Sequence, residues 1–214
     1  MFTLSCLLFT LIAGVLNVRG SSGTQSKVSI SDAPVEVADY NSTLYATCEM
    51  KPSTTLPLSQ PEIYGQVLFK QVYPDGQMQI IVNLRGFPTT ESAERAIHIH
   101  QFGDLSKGCS AAGPHFNPLQ QNHANHPGDL GNFASSHGQI RKLVTAKATL
   151  FGTESVLGRS VVVHEREDDM GNGGDEESLR SGNAGQRIAC CVIGLSSSIL
   201  WEKTAELSWE DSKL

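Results

Sequence analysis

The chain has no surplus of positive charge. Its 214 residues carry 16 Lys and Arg against 22 Asp and Glu, a net charge of −6. Such a chain is a poor candidate for nonspecific nucleic-acid binding. Charged residues are scarce overall, at 18%, and few segments show helical periodicity. With 20 glycines, the composition fits a loop-rich all-β domain, and the length suffices for one sizeable core plus end segments. Beyond the first twenty residues no apolar run is long enough to span a bilayer. Hydrolase signatures are missing too: there is no G-x-S-x-G and no H-E-x-x-H. Internal repeats and low-complexity tracts are also absent.

The N-terminus reads as a secretory signal. Residues 7–16 form a short apolar run, and Val18-Arg19-Gly20 suggests cleavage after Gly20, although the start lacks a positive charge. Removing residues 1–20 takes away Arg19 alone among charged residues, so 15 positive against 22 negative leaves −7. Cys6 leaves with the signal. Cys48, Cys109, Cys190 and Cys191 remain, an even number that suits an oxidising compartment. Four cysteines allow three pairings. Adjacent Cys190 and Cys191 on a strand point to opposite faces, so each should bridge to a different distant partner. Asn41-Ser42-Thr43 is the one N-glycosylation sequon.

The expected organisation is a signal at 1–20, a polar lead-in at 21–44, a domain at 45–195 and an acidic tail at 196–214. Strand-like runs fall at 45–50, 63–72, 78–84, 96–101, 140–150, 161–164 and 188–195. Tyr73-Pro74-Asp75-Gly76 is a turn signal that makes 63–72 and 78–84 a hairpin. Residues 102–138 and 165–187 read as two long polar loops, each following a strand that ends in histidine. Loops of this length in a compact domain are usually functional.

The histidines gather at those loops or on the strands beside them. His98 and His100 alternate on a strand and so project from one face. His115, His123 and His126 lie within twelve residues, followed by Asp129. Three imidazoles and a carboxylate make a tetrahedral zinc set. His164 can return from a later strand to the first pair, and an all-nitrogen site suits copper. The bland alternatives are surface histidines on a strand and a chance loop cluster.

Specific motifs go further. His98-Ile99-His100-Gln101-Phe102-Gly103-Asp104, Gly113-Pro114-His115-Phe116-Asn117-Pro118, His126-Pro127-Gly128-Asp129-Leu130-Gly131-Asn132 and Gly182-Asn183-Ala184-Gly185-Gln186-Arg187-Ile188-Ala189-Cys190 occur in one order. From about Cys48 to Gly194 the chain resembles the copper/zinc superoxide dismutases. The resemblance implies an eight-stranded antiparallel Greek-key barrel, flattened like a sandwich, with two long functional loops on its outside. It implies copper held by His98, His100, His115 and His164, zinc held by His115, His123, His126 and Asp129, and Asp168 as a carboxylate linking a copper-ligand to a zinc-ligand histidine. His115 bridges the metals, and His137 has no counterpart. Arg187 becomes the cationic guide for superoxide, with Glu176, Glu177 and Arg180 in the steering loop. The implied reaction turns two superoxide radicals and protons into dioxygen and peroxide as copper alternates between two oxidation states, with His115 exchanging a proton.

The resemblance also implies disulfides Cys109–Cys190 and Cys48–Cys191. The second pair, with Arg95-Ala96-Ile97, points to the secreted, extracellular branch; closing so long a loop is worth roughly 2–4 kcal/mol. The family usually forms homo-dimers or tetramers. Many extracellular members end in a basic run that binds heparan sulfate, whereas residues 201–214 hold Lys203 and Lys213 against Glu202, Glu206, Glu210 and Asp211, net −2. Heparin binding is therefore not expected. Ser198 is placed to cap a short helix carrying Leu200, Trp201, Leu207 and Trp209. The rival readings are a dismutase-like module without turnover and a structural zinc domain. A structural zinc site needs none of His98, His100 and His164.

Overall fold

The structure is a computed structural model that describes residues 42–90 and 93–210, with 207–210 described as backbone only. The expected signal, the sequon Asn41 and the Leu207 and Trp209 side chains lie outside the described residues.

The domain is built from strands β1 (Thr43–Pro52), β2 (Tyr64–Val72), β3 (Met78–Arg85), β4 (Glu94–His100), β5 (Ser106–Cys109), β6 (Asp129–Ala134), β7 (Gln139–Ala146), β8 (Ser160–His164), β9 (Arg187–Val192) and β10 (Gly194–Leu195). Two α-helices follow, α1 (Glu176–Ser181) inside the second long loop and α2 (Ser198–Glu210) at the end. Eight strands run in the order β6-β4-β8-β9-β1-β2-β3-β7, with β10 beside β1. Their pairings are antiparallel, and the path curls into the expected nearly closed Greek-key barrel.

Alternation explains why these segments are strands. Leu44, Ala46, Cys48 and Met50 on β1 and Met78, Ile80, Val82 and Leu84 on β3 turn inward and are buried. The hairpin forms where its turn signal stands: Val67 opposes Val82, Phe69 opposes Ile80, and Gly76 N–H donates to Val72 O at 2.9 Å. Facing inward with them are Ile97, Ile99, Val161, Val163 and Ile188.

The expected single loop at 102–138 is corrected by the structure, because β5 and β6 lie within it. Residues 129–134, with Gly131 and Asn132, have weak strand propensity. Pairing with β4 and packing of Leu130 and Phe133 against the core override that. The run expected at 140–150 also stops short, at Ala146.

Cys190 and Cys191 do face opposite ways. Cys191 joins the core cluster and is bonded to Cys48, while Cys190 belongs to a second cluster and is bonded to Cys109, with Cα separations of 5.3 and 5.7 Å. Helix α2 begins at Ser198 itself. Its Trp201 packs on Leu68 and Ile81, outward residues of β2 and β3, with Tyr45 alongside and Lys70 Nζ 5.8 Å from the Trp201 ring centre. Among the described residues no helix is long and apolar enough to cross a membrane.

Fully buried Phe69 lies at the centre of this core. Phe69→Ala should cost about 3–5 kcal/mol. Trp201→Ala should cost clearly less, since α2 can lift away rather than leave a cavity. Urea midpoints of the two variants compare them directly; equal losses would mean that α2 is part of the folding unit.

Candidate metal centre

The barrel delivers the first pair of imidazoles. On β4, Ile97 and Ile99 enter the core, so His98 and His100 lie on the other face, both fully buried under the loops. A register shift in β8 between Val163 and His164 turns the strand end and sets His164 opposite Arg187 on β9. The loop after β5 is laced to β4: Phe116 N–H donates to Ile99 O (2.8 Å) and Ile99 N–H to Gly128 O (2.8 Å). This places His115 and Asp129 beside the β4 pair.

Two groups result, His98, His100, His115 and His164, and His115, His123, His126 and Asp129. Within each, one ligand atom per residue lies within 4.8 Å of all the others, and His115 belongs to both. All six imidazoles are buried. His137 is not among them; it is exposed in the turn between β6 and β7, its Nδ1 3.0 Å from Ser136 Oγ.

The outward nitrogens decide the chemistry. His100 Nδ1 donates to Gly113 O (2.9 Å), His164 Nδ1 to Gly185 O (3.4 Å) and His126 Nε2 to Gln121 O (3.0 Å). His98 Nε2 and His123 Nε2 both donate to the Asp168 carboxylate, at 2.8 and 2.7 Å. Each neutral ring therefore turns a bare lone pair inward. Nε2 of His100 and Nε2 of His164 face each other at 3.3 Å, a spacing suited to two ligands of one ion with bonds of about 2.0 Å. His98 Nδ1, His115 Nε2 and His123 Nδ1 are buried with no hydrogen-bond partner. His123 Nδ1 lies 3.0 Å from Asp129 Oδ2; with the ring neutral these are two facing acceptors, and only a second ring proton turns the pair into a hydrogen bond. A cation between them removes the conflict. Seven donors of this kind, around a shared imidazole, fit a copper ion and a zinc ion.

Proton affinities report the same field. Burial pushes His115 down to about 4, against the opposing hydrogen bond to Asp129. Burial and neighbouring imidazoles hold His100 and His164 well below the usual value. For His123 burial also acts downward, but Asp129 and Asp168 outweigh it and raise the ring to about 9. Burial alone would raise both carboxylates. Hydrogen bonds from His115, His123 and His126 hold Asp129 low, and those from His123 and His98 hold Asp168 low.

Asp168 is also held from behind by contacts that motif spacing does not show. The Asn132 amide grips its backbone in both directions, donating to Asp168 O and accepting from its N–H, each at 2.8 Å. Met170 N–H donates to Oδ1 at 2.7 Å. Gly182 ends α1 with φ +67, and a Cβ there would lie 1.8 Å from Asp168 Oδ1, so only glycine lets the loop close. An Asn in a strand and a Gly after a short helix were the available signals.

Arg187 stands over the other side. Its guanidinium donates to Cys109 O (3.1 Å) and Ser110 O (3.5 Å), so the Cys109–Cys190 bridge also holds the arginine's support. A cleft of about 400 Å3 is lined by His115, His164, Arg166, Arg180 and Arg187, with Glu177 near Arg180.

Comparison with known proteins follows this geometry. The family model for copper/zinc superoxide dismutase (SODC) matches residues 63–193, so α2 lies beyond it. The chain is 52% identical to mouse extracellular superoxide dismutase (Cu-Zn) over 161 residues, 74% of this chain and 64% of that protein. It is 48% identical to the human extracellular protein over 177 residues, covering 82% and 74%. With the superoxide dismutase (Cu-Zn) of Schizosaccharomyces pombe it shares 46% over 143 residues, covering 63% and 92%. The chain thus spans about two thirds of the mouse protein's length.

In the metal-free protein these shifts set a stability profile. His115 at about 4 refuses a proton that the unfolded chain binds below its ordinary 6.5, so stability falls as pH drops from 6.5 towards 4. His123, raised to about 9, adds stability that is full below 6.5 and lost as pH rises towards 9. Thermal unfolding with disulfides intact should therefore peak near the ordinary histidine value of about 6.5. His115→Gln should make the acid limb shallower, leaving the part that His100 and His164 supply, and His123→Gln should flatten the alkaline limb; a monotonic profile would contradict the assignment.

Proposed function

Because the chain belongs to the copper/zinc superoxide dismutase family, we propose that it is a secreted superoxide dismutase, converting two superoxide radicals and two protons to dioxygen and hydrogen peroxide. The observation that carries this reading is the pair of buried donor groups sharing His115 beneath an arginine-lined cleft. A structural zinc domain has no use for the second group or the cleft.

In this reading His98, His100, His115 and His164 hold copper, and His115, His123, His126 and Asp129 hold zinc. Bound copper supplies one-electron chemistry at the end of the cleft. Arg187 draws superoxide in and holds it, and Arg166 and Arg180 add to the positive lining; an arginine stays charged at any working pH. His115 Nε2 has no partner in the protein, so it can hold a proton whenever it is not a ligand and release it to the peroxide product. A zinc ion held by His115, His123, His126 and Asp129 would keep the ring in place and would make loss of its second proton easier. Asp168, tied to His98 and His123, keeps both rings oriented.

Secretion agrees with the leader sequence, with two disulfides and with the extracellular naming of the mammalian relatives. Self-association is part of the reading. Phe102 (48% exposed) and Val192 (41%) are large apolar side chains left open, and Val192 Cγ1 lies 3.0 Å from where a Cβ on Gly103, the residue after Phe102, would stand. Heparin binding is not part of it, since the tail is acidic.

Purified mature protein should carry one copper and one zinc per chain and consume superoxide. His115→Ala should abolish turnover. Arg187→Ala should slow it at least about 10-fold and weaken its dependence on ionic strength. Full metal loading without turnover would instead make this a non-catalytic module. In the same preparation, sedimentation should show an oligomer that Phe102→Glu dissociates, and heparin resin should release the protein at low salt. A monomer, or elution near molar salt, would refute those two points.

A further inference from the structure

The second long loop leaves the barrel after His164 and returns at Arg187, and Glu165 stands at its neck. Regular strand pairing is interrupted there by the β8 register shift. What closes the neck is a set of contacts to this one residue. Glu165 N–H donates to Gln186 O (2.8 Å), and next to it Arg166 N–H donates to Ala184 O (3.0 Å). The Glu165 carboxylate accepts from Gln60 Nε2 at Oε1 (2.5 Å) and from Gln186 N–H at Oε2 (3.3 Å). Its carbonyl accepts from the Arg95 guanidinium. Gln60 comes from the segment between β1 and β2, 105 residues away, and Arg95 from β4. Opposite lies Gly185 at φ +78, where a Cβ would stand 3.0 Å from Glu165 Oε2.

Three distant parts of the chain thus meet on a residue that belongs to neither metal group. Its sequence neighbour is His164, and its partner Gln186 is the neighbour of Arg187. We propose that Glu165 is a positioning residue: anchored by Gln60 and Arg95, it holds the loop neck closed and so sets the distance between the His164 imidazole and the Arg187 guanidinium. This rests on the roles given above to His164 and Arg187. Asp168 orients ligand rings from the zinc side; Glu165 acts on the anion side, through backbone and not through a ring.

The test uses the full disulfide-bonded chain with Glu165→Ala, Glu165→Gln and Gln60→Ala. Hydrogen exchange at the Gln186 amide is read in metal-free protein. Azide, a small anion standing in for superoxide, is titrated against copper- and zinc-loaded protein by its absorption. Losing the clamp should speed Gln186 exchange and weaken azide binding each by about 5–10-fold in Glu165→Ala, in line with the loss of about one hydrogen bond. Glu165→Gln should stay within about twofold of the parent, because Gln60 can turn its amide to match. Gln60→Ala should fall between, and it carries the test should Glu165→Ala not fold. Unchanged azide affinity in Glu165→Ala, or in Gln60→Ala if that variant stands alone, overturns the proposal. So does a Glu165→Gln variant as impaired as Glu165→Ala. Arg187→Ala is the control: if it binds azide as the parent does, the reading of Arg187 fails, while Gln186 exchange still decides whether Glu165 closes the neck.

Discussion

Lone pairs that face each other in a buried space repel, and the centre of this protein is made of them. Five imidazoles spend their outward N–H on a fixed acceptor, three on backbone carbonyls and two on Asp168. His115, which donates instead to Asp129, keeps its bare Nε2 for the other group. Three of the inward nitrogens, on His98, His115 and His123, have no hydrogen-bond partner; bound cations would satisfy them, which explains why so many histidines converge where burial alone would expel them. His123 makes the point by itself: its ring takes up a proton more readily than usual because a positive charge is what the gap beside Asp129 lacks.

The barrel's task is to keep those atoms from relaxing apart. β4 and β8 are pinned into the sheet by isoleucines and valines on the inner face, so histidines on the outer face inherit their rigidity. The two disulfides extend this to the loops. Since Cys190 and Cys191 point opposite ways, one bridge closes the barrel interior and the other ties the first long loop to the outside of β9. That outer bridge also supports Arg187, so the cationic group and the donor groups share one mechanical frame.

Helix α2 is a separate addition. It lies past the residues that the family model matches and docks through Trp201 on outward Leu68 and Ile81, residues that would otherwise expose apolar surface. An acidic helix packed on the sheet is a different device from a basic tail held out towards sulfated sugars.

Much of the centre was legible in the chain alone. Period-two alternation placed His98 and His100 on one face, short spacing gathered His115, His123, His126 and Asp129, and opposite-facing neighbours separated Cys190 from Cys191. These are local rules, and local geometry is enough to apply them. Composition and apolar patterning likewise set the all-β class and the β2–β3 hairpin. What the sequence could not show depended on contacts between distant segments. The strand at 129–134 has weak propensity and exists because β4 and the core hold it. The grip of Asn132 on Asp168, the close approach of Gly182, the carbonyls under Arg187 and the meeting of Gln60, Arg95 and Gln186 on Glu165 each join residues well separated in the chain, up to 105 positions for Gln60 and Glu165. Chain order carries no distance for such pairs. Residue types and spacing determined which atoms could bind metal, and only the folded barrel decided how they are aimed.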